Sequence, residues 1–249
     1  MSVDIDLLQK VTRLDSGGHR PNEGAMCAME AVAFIAREPW SDHPECACPV
    51  IGAFMRSWND GLNDADRNAL LLPLIPKLVG TRGSKALEER RALMAADWLV
   101  RTHTPAWLRL AGLTAQADLL TALPEITAMA QVPSIRGPLE AVRKDAAAAG
   151  AAAGAAAWAA AGAAARAAAR DAAWAAAWAA AGAAAWAAAR DAAWAAAWAA
   201  AGAAARDAAR DAAGAAAWAK LEPTRLELQA SALALVERMI AAADLDEAS

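Results

Sequence analysis

Tyrosine is absent from this chain and phenylalanine occurs twice, so tryptophan, with eleven copies, carries nearly all of the aromatic surface. No run of alternating β-branched residues is present, which removes the usual signature of strands. Cysteine numbers three, Cys27, Cys46 and Cys48. An odd, low count argues against a disulfide framework and fits a reducing cytoplasm. The net charge is −4 with no basic run, so binding of nucleic acid by counterion release has little to work with and no nucleic acid is expected. The opening residues Met1-Ser-Val-Asp-Ile-Asp lack the charged and apolar regions of a signal peptide. Residues 146–165 carry no charge and, at about 1.5 Å per residue, would reach across a ~30 Å hydrocarbon layer. Ala and Gly bring little transfer energy, however. Arg170–Asp171 and Arg190–Asp191 bracket the next uncharged window, and charge near the centre of a span costs several kcal/mol. A membrane is not the expected solvent.

What is present reads as helix. Residues 25–37 are apolar at helical spacing and stop before Pro39, and Val50–Leu62 follows with Phe54 and Trp58 one turn apart. Pro73 and Pro76 interrupt Asp64–Val79, predicting two short helical turns. Ser84 with Glu88 reads as the start of a helix running through Trp98 to about Thr102. Thr104-Pro105 suits the cap and first position of a short helix reaching Leu110 and closed by Gly112, and Leu113–Leu123 repeats the pattern. Residues 124–138, with Pro124, Pro133, Gly137 and Pro138, read as a linker. Residues 224–243 form a final amphipathic helix with Leu226, Leu233, Val236 and Ile240 on one face. The fold class is all-α.

From Gly150 to Trp218 one four-residue word repeats without a slip: three small residues, then Gly, Trp or Arg, with Asp replacing Ala only after an Arg. Trp158, Trp174, Trp178, Trp186, Trp194, Trp198 and Trp218 fall on the variable position. Ala has the highest helix propensity and each Gly costs about 1 kcal/mol relative to it, so 139–219 is expected to be overwhelmingly helical, by default as one rod of ~80 residues and ~120 Å. A period of four advances about 40° per tetrad on a straight helix, so the Trp wind around it, right-handed, instead of forming one stripe. Gly162, Gly182 and Gly202 add a superperiod of twenty. Seven exposed Trp of about 200 Å² each would leave about 35 kcal/mol of burial unrealised. Either partners wrap the rod, or the segment folds back as shorter, closely packed helices.

A second cluster could carry chemistry. His19, Cys27, Asp42, His43, Cys46 and Cys48 lie within one short stretch. Cys27, at a helix start, would feel a dipole that lowers its pKa, with His19 or His43 as base and Asp42 as orienting group. His19, Cys27, His43, Cys46 and Cys48 are also metal-ligand types, although neither thiol pair has a familiar zinc spacing. The expected reading is nevertheless a buried structural Cys27 among Met26, Met29 and Val32. Gly80-Thr81-Arg82-Gly83-Ser84 could hold a phosphate or be a plain capped loop, and Glu88-Glu89-Arg90-Arg91 reads as a solvated helix face.

The runs Gly24-Ala-Met-Cys27-Ala-Met29-Glu30-Ala-Val-Ala33, Glu38-Pro39-Trp40-Ser41-Asp42-His43-Pro44-Glu45-Cys46 and Leu78-Val79-Gly80-Thr81 resemble a family of uncharacterised proteins from high-GC bacteria and their phages. There a similar N-terminal module precedes an Ala/Trp/Arg/Asp tract and a tail like Leu228-Gln-Ala-Ser-Ala-Leu233. The resemblance implies organisation and no activity. The expected organisation is an N-terminal helical domain over 1–136, a tetrad segment over 138–220 and an amphipathic helix over 223–249. The expected role is a cytoplasmic interaction protein that self-associates or binds a helical partner through the repeat, with no cofactor. The alternative is a metal-binding module or cysteine-dependent enzyme centred on Cys27 and His19.

Overall fold

The computed structural model describes residues 2–21, 23–148, 219 and 221–242. The tetrad tract and its seven Trp lie outside the described residues, as does most of the helix expected over 139–219. Among the described residues every regular element is helical. None of their helices is long and apolar enough to cross a membrane.

Short helix α1 (Ile5–Leu8) is started by Asp4, whose carboxylate accepts from Leu7 N at 3.0 Å. Helix α2 (Ala28–Ile35) is buried on almost every side, with Met29, Ala31, Val32 and Ile35 at the centre of the core; a helix apolar all round belongs inside. It ends in a Schellman motif, Glu38 N donating to Ala33 O and Arg37 N to Phe34 O. The left-handed residue there is Arg37, at φ 57°, where glycine would be usual. Its guanidinium pairs with Asp4, and Pro39 follows.

Helix α3 (Pro49–Gly61) has Pro at its first position and buries Ile51, Met55 and Asn59 at i, i+4 and i+8. At Gly52 a Cβ would stand 3.4 Å from Met29 Cε, a measure of how closely α2 and α3 approach. Helix α4 (Asp64–Leu71) is capped by Asn63. The prolines then act as expected: Pro73 falls in a 3₁₀ turn (Leu72–Leu74) and Pro76 in a single turn, α5 (Ile75–Leu78).

Helix α6 (Lys85–Trp98) starts at Ser84, whose hydroxyl accepts from Leu87 N at 3.2 Å. Thr104 departs from expectation. It does not cap a new helix; the chain passes from α6 through a π-helical stretch (Leu99–His103) straight into α7 (Thr104–Leu110). Pro105 has no N–H and its ring crowds the preceding turn, and the wider π turn absorbs it. The Thr104 hydroxyl donates to Leu99 O at 2.8 Å. Gly112, at φ 78°, closes α7, with Leu113 N on Leu108 O and Gly112 N on Arg109 O. Helix α8 covers Thr114–Thr121.

Residues 124–138 are not a plain linker. Ile126 is buried and its N–H donates to Asp97. The Gln131 side chain gathers Thr127 N, Ala128 N and Glu125 O around a 3₁₀ turn (Met129–Gln131). Residues 132–148 are helical (α9), so the helix begins ahead of Leu139 and includes Pro138.

The chain divides into two compact units. The first comprises Met1–Ala106, Ala117–Arg136 and Glu227–Ser249; the second comprises Trp107–Gln116 and Gly137–Leu226. The C-terminal helix (α10, residues 221–241) therefore enters the first unit. Leu235, Val236 and Met239 belong to the same core as α2 and α3. Its buried face differs from the expected one: Leu226 is exposed, while Leu228, Ala232 and Met239 are buried.

Arg91 anchors this return. It is 2% exposed and donates to Thr81 O (2.6 Å), Met239 O (2.7 Å) and Ala242 O (3.1 Å). A cation on the last carbonyls of a helix satisfies orphan acceptors and meets the negative end of the dipole. Of the four residues read as a solvated face, Glu89 and Arg90 are exposed and Glu88 half-buried, but Arg91 is a core residue.

Candidate functional site

Cys27 is the N-cap of α2, an unusual residue in that role. Its Sγ accepts from Glu30 N at 3.5 Å, and Glu30 Oε2 accepts from Cys27 N at 2.7 Å, the reciprocal arrangement of a capping box. Glu30 is 3% exposed, and its carboxylate also accepts from His19 N (2.7 Å) and lies 2.9 Å from His19 Nδ1. Three donors thus converge on one buried acceptor group, as burying a carboxylate requires. His19 O in turn accepts from Trp40 Nε1 at 2.7 Å.

Asn59, fully buried on α3, completes the anchorage. Its Oδ1 accepts from Ala28 N at 3.2 Å, and its amide donates to Asp15 O at 2.9 Å and Asp60 Oδ1 at 3.0 Å. Hydrogen bonding from Gly17 N holds Asp60's own carboxyl below the usual range. Arg67, 3% exposed, donates to Asn59 O at 2.8 Å and Leu62 O at 2.5 Å. The segment from Asp15 to Cys27 is thereby tied to the start of α2 and to α3.

This geometry disfavours the thiolate reading of Cys27. Burial pushes its thiol from the ordinary 9.0 up to about 11, and the Glu30 carboxylate adds to the rise, together outweighing the Glu30 N–H that favours the anion. His19 is engaged by Glu30. Cys46 is likewise buried and pushed up to about 11, by burial first and then by Glu38. Glu38 accepts from Cys46 N and Glu45 N at 2.8 and 2.6 Å. All three cysteines are free and buried. Among the described residues no group of three or more His, Cys, Asp or Glu converges as metal ligands, so His19, Cys27, His43, Cys46 and Cys48 do not form one set.

Asp42 and His43 do meet, His43 Nδ1 lying 2.7 Å from Asp42 Oδ1, but on the exposed surface. His43 lines a cleft of about 210 Å³ together with Met29, Cys48, Gly52, Arg56 and Arg82, and Cys27 is not among its lining residues. The Gly80–Ser84 loop is not a phosphate cradle. Gly80 N and Arg82 N both donate to Cys46 O at 3.1 Å, Thr81 N donates to Leu78 O, and the Thr81 hydroxyl accepts from Cys48 N.

Sequence reasoning singled out Cys27 and His19 and missed the group that joins them. The signal was there: Glu30 stands three residues after Cys27, the spacing of a capping box with sulfur in place of the hydroxyl. Arg67 and Arg91 carried no signal of burial, because an Arg in a polar stretch reads as surface. Chemically, the cluster is a set of satisfied buried polar groups, with the Cys27 and Cys46 thiols held protonated, suited to fixing a loop. No family model, curated protein or solved structure matches the chain.

Proposed function

We propose that this chain is an interaction protein whose Ala/Trp tetrad tract works by helix packing or self-association, carried by the compact helical unit. The observation that supports it most is the path of the chain. The first unit is left after Arg136 and re-entered at Glu227, so roughly ninety residues start and finish on one body. Both readings of the tract, partners wrapped around it or folding back on itself, give its seven Trp apolar surface to cover.

The buried Cys27, Cys46 and Cys48 thiols favour a reducing compartment such as the cytoplasm. The partner is a second helical surface, in this chain or another copy; nucleic acid and membrane are not proposed. The test replaces Trp174, Trp178, Trp194 and Trp198 with Ala and follows thermal melts and light scattering of the full chain. A lower melting temperature or lost compactness or association is expected, each removed Trp costing a few kcal/mol where it leaves a cavity. Unchanged melts and scattering would make the repeat a neutral expansion of alanine codons.

A further inference from the structure

Two clefts of the first unit differ in the charge of their linings. The larger, of about 560 Å³, sets Glu89, Asp97 and Glu125 against Arg90 and Arg238. The smaller, of about 210 Å³, is lined by Arg56, Arg82 and His43 and by no carboxylate. In a chain of net charge −4, that is a local excess of cation. The rest of its lining is uncharged, with Met29, Pro44 and Pro49 as its apolar part.

The two arginines are fixed in place without being used up. Arg56 Nη1 donates to Asp42 O at 2.9 Å. The ion pair of Arg56 with Asp42 is 3.9 Å long and that of Arg82 with Glu88 is 3.6 Å. Both exceed hydrogen-bond length, so each guanidinium keeps donors to offer. The backbone beneath them is tied down, Arg82 N donating to Cys46 O at 3.1 Å and Cys48 N to Thr81 Oγ1 at 3.0 Å. Helix α3 starts on the same lining, at Pro49, with no side chain capping it, so the positive end of its dipole adds to the field.

We propose that this cleft binds a short organic carboxylate, its charged end on the Arg56 and Arg82 guanidiniums and its carbon chain against Met29, Pro44 and Pro49. This role goes beyond the packing of the tract and is tested independently of it. Size sets the class of ligand. Sites for drug-sized molecules run ~300–1,000 Å³, so a cleft of about 210 Å³ takes a molecule of a few carbons. Polarity sets the rest. Guanidinium forks match the paired oxygens of a carboxylate. Free phosphate would turn some of its oxygens toward proline rings and a thioether, where they lose water and gain no donor. A carbon chain covers those same groups and is itself removed from water.

The experiment isotope-labels the rings of the three histidines in the full chain and follows them by NMR while butyrate is added at constant ionic strength and pH. The expected result is a saturable shift of the His43 signal, with His19 and His103 unmoved. Arg56→Gln and Arg82→Gln should each weaken binding at least tenfold, while Arg13→Gln, at an exposed arginine outside the cleft, should leave it unchanged. Butyramide, of similar shape and no charge, should not bind, and inorganic phosphate should bind at least tenfold more weakly than butyrate. Butyramide binding as tightly as butyrate would overturn the ionic recognition. Phosphate binding as tightly would overturn the organic class of ligand. No saturable His43 shift, or one that survives both cleft-arginine changes, would overturn the site.

Discussion

Replacing Arg91 by methionine keeps most of the side-chain volume but strips three carbonyls, two of them buried, of their donor. Arg91 reaches Thr81 O, Met239 O and Ala242 O at 2.6–3.1 Å from a position 2% exposed. Hydrogen bonds to charged groups contribute about 1.5–3 kcal/mol each, and buried acceptors left without partners cost about 1–3 kcal/mol. Because the three share one guanidinium and relax together, the total is about 3–5 kcal/mol, the range for breaking a buried charged network. Set against a typical domain stability of about 5–15 kcal/mol, that is a large fraction. Urea denaturation followed by circular dichroism should show the loss as a lower midpoint with a similar slope. Lysine keeps the charge but cannot fork to carbonyls on two segments, so Arg91→Lys should fall between wild type and Arg91→Met. Amide hydrogen exchange over residues 228–239 should quicken in Arg91→Met before that of α2. An Arg91→Met midpoint equivalent to less than about 1 kcal/mol would refute the view that this side chain holds α10 to the core.

Asn59→Ala removes a fully buried amide serving Ala28 N and Asp15 O and should cost about 2–3 kcal/mol in the same assay. Gly112→Ala forces a φ of 78° on a residue with a Cβ and should cost about 1 kcal/mol. Gly52→Ala, in a helix interior with its Cβ at contact distance from Met29 and Arg56, should be neutral within about 0.5 kcal/mol, propensity offsetting crowding. Cys27 and Cys46 titrate near 11 in the folded chain against 9.0 unfolded. Their contribution is therefore complete below pH 9 and lost as pH rises from 9 toward 11, and alkylation at pH 8 should proceed only as fast as the chain opens. Burial lowers the His103 pKa below 6.5 beside Trp98. Acidification through and below pH 6.5 should therefore destabilise the wild type more steeply than His103→Gln.

Much of the helical layout was legible because its signals are local. Ser84 caps where a side-chain oxygen precedes a helical stretch, Pro39 follows a helix end, Pro73 and Pro76 split a helix, and Gly112 ends one. The misses are long-range. The π turn at Leu99–His103 answers to Pro105 within a continuing helix. Ile126 is bound by Asp97, which sequence distance hides. The return of α10 depends on Arg91, some 150 residues earlier, and neither sequence periodicity nor charge pattern reports a contact of that span. At the candidate site the residue types were legible but their chemistry was not. A helix dipole alone would favour the Cys27 thiolate, and burial beside Glu30, which no local pattern reports, disfavours it.

The central claim is that the tetrad tract exists to be packed, and tryptophan accessibility tests it most directly. Seven of the eleven Trp lie in the tract, while Trp40, Trp58, Trp98 and Trp107 are half-buried in the described residues, so the tract dominates the fluorescence signal. If the account holds, acrylamide should quench the native chain several-fold less than the urea-unfolded chain at any protein concentration. Native quenching close to the unfolded value would contradict it.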